Sequence, residues 1–128
     1  MKRFLILIFL VGLEQSFTQS NIPNVDLISY QNEKISISEL LNKDTFYIFS
    51  FWATWCGPCV RALPELVENI SSFTSEEAIL VAVNQGESKK IISQFLKKKK
   101  LEGLTVALDK NQTIGRDYNV QGIPKTVV

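Results

Sequence analysis

The apolar positions of this chain change period several times, and each change marks an element. Phe46-Tyr47-Ile48-Phe49-Ser50-Phe51-Trp52 is a run of aromatic and β-branched residues, the composition of a buried strand. Directly after it, Leu63, Leu66, Val67 and Ile70 recur at helical spacing with Arg61, Glu65 and Glu68 between them, so a strand feeds a helix. Ser71 to Glu77 reads as a polar loop, and Ile79-Leu80-Val81-Ala82-Val83 is a continuous apolar run of strand length, expected to be covered on both faces. Because a helix crosses over between them, this strand should pair in parallel with the one through Tyr47. Glu87 to Lys100 follows as a helix with Ile91, Ile92, Phe95 and Leu96 on its buried stripe, and Gly103 should break it. Leu104 to Leu108 is another short extended piece, Asp109 to Gln112 a turn, and Thr113 to Tyr118 a short helix.

The N-terminal part is less regular. Met1-Lys2-Arg3 and the ten-residue apolar run Phe4 to Leu13 suit a signal peptide and fall short of the roughly 20 residues a membrane-spanning helix needs. Residues 1–20 are therefore expected to be a signal peptide, with an uncleaved membrane anchor as the alternative, and residues 21–128 a single domain. No cysteine follows the apolar run to carry a lipid there. Two short apolar segments flanking Tyr30 to Lys34 predict a β-hairpin, Ser38 to Leu41 a helical turn, and Asn42-Lys43-Asp44 a break.

Composition narrows the chemistry. An apolar content of 45% suffices for an ordinary core in 128 residues. Fourteen basic and thirteen acidic residues leave a net charge of +1, which provides no field to steer a polyanion and argues against nucleic acid. The basic run Lys97 to Lys100 ends a helix, where cations oppose the negative end of its dipole.

The only two cysteines are Cys56 and Cys59, at the join of strand and helix in Trp55-Cys56-Gly57-Pro58-Cys59. Two intervening residues let the sulfurs open and close a disulfide without moving the rest of the fold. At the helix N-terminus unpaired N–H groups favour a thiolate on Cys56, the nucleophile by position, while Pro58 sits where a missing N–H is tolerated and Cys59 lies one turn deeper. A structural zinc site would need four ligands, and the chain has no histidine to add to two cysteines. Haem attachment needs a histidine where Val60 stands. A staple over so short a loop would contribute little entropy, so redox chemistry is the favoured reading.

These residues resemble a known family. Trp52-Ala53-Thr54-Trp55-Cys56-Gly57-Pro58-Cys59 after an apolar strand, with Pro64 five residues on, is similar to the active site of the thioredoxin superfamily, and Tyr118 to Pro124 to the segment carrying its cis-proline. Asp26-Leu27-Ile28, Gln31 to Lys34 and Ile35 to Leu40 resemble the hairpin of the TlpA/ResA-like exported thiol-disulfide oxidoreductases. The resemblance implies an α/β fold with a central mixed sheet flanked by helices and an N-terminal β-hairpin. It also implies two further strands and a helix beyond the cis-proline, about three elements that this sequence does not carry past Val128.

For function it implies a protein-disulfide reductase in the periplasm or cell envelope, acting as a monomer without cofactor on exported proteins and re-reduced by a membrane electron donor. Cys56 and Cys59 would be catalytic, and Trp55, Gly57, Pro58, Ile123 and Pro124 would bind substrate. Apocytochrome c maturation and general thiol repair are both compatible. An envelope oxidase and a binding module without turnover are the alternatives, whereas the Pro-x-x-x-Thr-x-x-Cys signature of peroxiredoxins is missing. Two positions depart from the family: where it often places a buried carboxylate this chain has Ser50 and Ala62, so water held by Ser50 would have to serve, unless Ser50 merely fills the core. Lys125 stands in place of a small hydroxyl residue and would either attract anionic partners or point outward.

Overall fold

The computed structural model describes residues 26–28, 34–36, 46–72 and 78–128. The expected signal or anchor segment, the helical turn at Ser38 to Leu41, the break at Asn42 to Asp44 and most of the loop after Ser72 lie outside them. Strands β1 (Asp26–Ile28) and β2 (Lys34–Ser36) pair antiparallel as the expected hairpin. The remaining elements run β3 (Phe46–Trp52), α1 (Gly57–Ile70), β4 (Ala78–Gln85), α2 (Lys89–Lys99), β5 (Val106–Asp109), α3 (Thr113–Asp117) and β6 (Lys125–Val127). Among the described residues no helix is long and apolar enough to cross a membrane.

The sheet has the order β5-β4-β3-β6, with β3–β4 and β4–β5 parallel and β3–β6 antiparallel, which is the expected mixed sheet. Strand alternation divides its side chains between two cores. Trp52, Leu80, Ala82 and Val106 face α1 and α2, where they meet Cys56, Cys59, Leu63, Ile92 and Leu96. Tyr47, Phe49, Phe51, Val81, Val83 and Ala107 face the other way, toward Ile114 of α3 and Tyr118. The largest of these side chains are almost completely buried, and each such burial stabilises the fold by about 1.5–3 kcal/mol.

Three expectations need correction. Helix α2 begins after Ser88, whose hydroxyl accepts the Ile91 N–H at 3.4 Å, so Glu87 lies outside it. Its buried stripe consists of Ile92 and Leu96 with Phe95 half-buried, while Ile91 is 47% exposed, because adjacent helical residues diverge by about 100° and only one of the two isoleucines can face the core. The helix ends at Lys100 as expected, in left-handed conformation with φ 57°, where the Lys100 and Leu101 N–H groups turn back to the Lys97 and Leu96 carbonyls; Gly103 lies beyond it. In addition, β4 runs two residues past the apolar stretch, to the buried polar side chains of Asn84 and Gln85.

Candidate active site

Strand β3 delivers the chain into a turn, Ala53 to Cys56, closed by the Cys56 N–H on the Ala53 carbonyl at 3.2 Å. Cys56 is extended (φ −86°, ψ 101°) and caps α1: its sulfur accepts the Cys59 N–H at 3.2 Å and its carbonyl accepts the Val60 N–H at 3.0 Å. The sulfur thus occupies the position an oxygen holds at an ordinary N-cap, at the positive end of the helix dipole. Cys56 and Cys59 are joined in a disulfide, with Cα atoms 5.2 Å apart, well inside the span the bridge accepts without backbone movement. Both are buried, Cys59 (2%) slightly more than Cys56 (5%).

Around the pair, Trp55 projects with 71% of its surface exposed, and Gly57 and Pro58 form the exposed first turn of α1. The Ile123-Pro124 bond is cis. Continuing the β3–β6 register by one residue past Phe51↔Lys125 brings Pro124 level with Trp52, at the end of the strand that leads to the cysteines. Ile123 is half-buried and packs against the cluster containing both cysteines, whereas Pro124 is exposed. Trp52 is the buried tryptophan of the motif, its ring 5.3 Å from that of Phe95.

Ser50 lies on the same side of β3 as Trp52, buried and opposite Ala82 and Thr126, and Ala62 is half-buried on α1. Lys125 is not brought to the cysteines. Directly cross-strand residues share a face, so its pairing with Phe51 places it on the α3 side of the sheet, where its Nζ donates to the Asn119 carbonyl at 3.4 Å.

One group at the site was not anticipated. The Glu87 carboxylate accepts the Thr54 N–H (2.8 Å) and the Asn84 Nδ2 (2.7 Å) on one oxygen and the Thr54 hydroxyl on the other. The Glu87 N–H in turn donates to Asn84 Oδ1 at 3.1 Å. The available signal was Asn84-Gln85-Gly86-Glu87-Ser88, a polar stretch at the C-terminal end of a parallel strand, where α/β sheets collect functional groups. Among the described residues no three His, Cys, Asp or Glu side chains converge to hold a metal ion.

Comparison with known proteins gives the same picture. Over 115 residues the chain is 33% identical to the thiol-disulfide oxidoreductase ResA of Bacillus subtilis, covering 90% of this chain and 63% of that protein. It therefore spans less than two thirds of the curated relatives' length. The solved structure of StoA from Bacillus subtilis, 28% identical, superposes with a TM-score of 0.66 over 80% of this chain and 75% of that one. A secreted Mycobacterium tuberculosis disulfide oxidoreductase homologous to E. coli DsbE, 19% identical, shares the fold with a TM-score of 0.70 over 81% and 74%. The architecture is thioredoxin-like, a mixed four-stranded sheet with helices on both faces. The family match runs over residues 18–128, a span that contains both cysteines and the cis-proline, and the chain belongs to the AhpC/TSA family.

Proposed function

We propose that this protein is a thiol-disulfide oxidoreductase that reduces disulfides in partner proteins. The observation that carries the reading is the Cys56–Cys59 pair at the N-terminus of α1, flanked by exposed Trp55 and by Pro124. In the reduced protein the Cys56 thiolate attacks one sulfur of a substrate disulfide; that bond breaks, and the other substrate sulfur leaves and takes up a proton. Cys59 then gives up its proton and attacks the Cys56 sulfur, expelling the second substrate thiol and leaving the internal disulfide. A dithiol donor must return two electrons for the next cycle. Trp55 and Ile123 offer an apolar contact to the substrate, and the backbone beside Pro124 pairs with it as an extended strand. Gly57 and Pro58 leave the approach to Cys56 free of bulk.

The family resemblance supports an exported location, residues 1–20 as signal or anchor, a membrane protein as electron donor, and a role in cytochrome c maturation or general envelope reduction. Substitution Cys59→Ala tests both the function and the substrate. It leaves Cys56 able to attack and unable to be released, so substrates accumulate as mixed disulfides that vanish with reductant and are absent when Cys56 is also replaced. Cytochrome c precursors among the adducts would place the protein in that maturation route, and a broad set would indicate general reduction. Adducts with Cys56→Ala instead would reverse the two roles. Absence of adducts from both variants would favour a binding module.

A further inference from the structure

The proposed chemistry leaves Glu87 without a task, although it is the acidic group tied most directly to the cysteine-bearing turn. Thr54 and Glu87 are 33 residues apart in sequence, and their two hydrogen bonds fasten the β3–α1 turn to the end of β4. Asn84, 1% exposed, holds the carboxylate from below and takes its backbone N–H, so Glu87 is fixed at both ends. An oxyanion that accepts from a buried amide, a backbone N–H and a hydroxyl defines one position for Thr54, and with it the path through Trp55 to Cys56. Chain geometry keeps the Cα of Cys56 within about 8 Å of that of Thr54, so this charge is held on the turn that carries Cys56, two residues before it.

We propose that Glu87 is a positioning residue for Cys56: its carboxylate anchors the Thr54-Trp55-Cys56 turn and sets a fixed negative charge against the favourable field at the start of α1. This inference rests on the reductase reading for its activity readout. The other charged groups on the surrounding elements are Arg61 of α1, whose Nη1 would lie 3.6 Å from a Cβ built on Gly57, the exposed Glu65 and Glu68 further along α1, Lys89 and Lys90 at the exposed start of α2, and Lys97, Lys98 and Lys99 at its far end. Lys125 of β6 is turned to Asn119 on the far face. Glu87 opposes the helix terminus and Arg61, and so keeps the thiolate reactive: a thiolate held too strongly is abundant and a weaker nucleophile.

The test uses the full chain. In a Cys59→Ala background, the rate of iodoacetamide alkylation of Cys56 is followed against pH with and without Glu87→Gln. Removing the anion favours the thiolate, so the midpoint should fall by about half a pH unit or more. In the two-cysteine protein, Glu87→Ala frees the turn and should lower kcat/KM for insulin reduction about tenfold or more, and Glu87→Gln, whose amide oxygen still accepts the Thr54 N–H, should recover most of that loss. An unchanged midpoint in Glu87→Gln or an unchanged rate in Glu87→Ala overturns the proposal, and if Glu87→Ala fails to fold, the Glu87→Gln midpoint decides alone. Should the parent itself fail to reduce insulin, the reductase reading falls, while the alkylation midpoint still judges Glu87.

Discussion

Tyr118 carries an enclosed hydroxyl that has no hydrogen-bond partner among the described residues, while its ring lies 5.7 Å from Phe49 and 6.0 Å from Phe51. Burial, and secondarily the neighbouring Asp117 charge, raise its pKa above the ordinary 10.0. The folded state therefore holds the proton more tightly than the unfolded chain does. Stability from this source is complete below pH 10.0 and is lost as pH rises through the higher folded value. Tyr118→Phe keeps the ring contacts and removes the unpaired oxygen, so urea unfolding should find it as stable as the parent or more stable, by up to about 1 kcal/mol. It should also flatten the alkaline decline. A loss of stability near neutral pH would show that the hydroxyl has a partner after all.

At the scale of elements, α1 sets the chemistry. Its first turn presents Gly57 and Pro58 between the cysteines, and the Cys59 N–H points at the Cys56 sulfur. The dipeptide matches that of thioredoxin, whose potential is roughly −270 mV, whereas the oxidant DsbA lies near about −120 mV. Equilibration with glutathione buffers should place this protein on the reducing side, and a potential more oxidising than about −180 mV would turn the reading toward an oxidase. The element itself was legible because its signals are local: an apolar strand, a proline in the first turn, then apolar residues at a period of 3.6. The start of α2 was less legible. Ser88 is a conventional cap residue, yet the acidic Glu87 before it also suits a first helical turn, and only its contacts with Thr54 and Asn84 remove it from the helix.

Across the whole molecule, the end of β4 joins the layers. Asn84 turns toward the cysteine side and meets Glu87, and Gln85 turns toward the other side, where its Nε2 donates to Asp109 Oδ2 at 3.1 Å. Asp109, at the end of β5, also accepts the Ile114 and Gly115 N–H groups of α3 at 3.2 and 2.8 Å, so one buried carboxylate holds the back helix to two strands. A Cβ on Gly115 would meet Gln85 Oε1 at 2.6 Å. Gly115→Ala should therefore push the Gln85 amide off Asp109 and cost about 1–3 kcal/mol in urea unfolding. A cost near zero would mean that Gln85 can move aside without loss.

The chain's own pattern determined the strand order of events around the active site: where the apolar runs lie, which are strands and helices, that β3 and β4 are parallel, and that both cysteines stand at one helix N-terminus. These follow from periodicity and spacing within a few residues, and from the handedness of a strand–helix–strand unit. Tertiary structure alone decided where the polar side chains go. That Lys125 faces away from the cysteines depends on its register with Phe51, and that Glu87 meets Thr54 depends on which strand ends stand side by side. A one-residue slip of pairing would reverse the faces without altering any local pattern, which is why such contacts become visible only once the sheet is assembled.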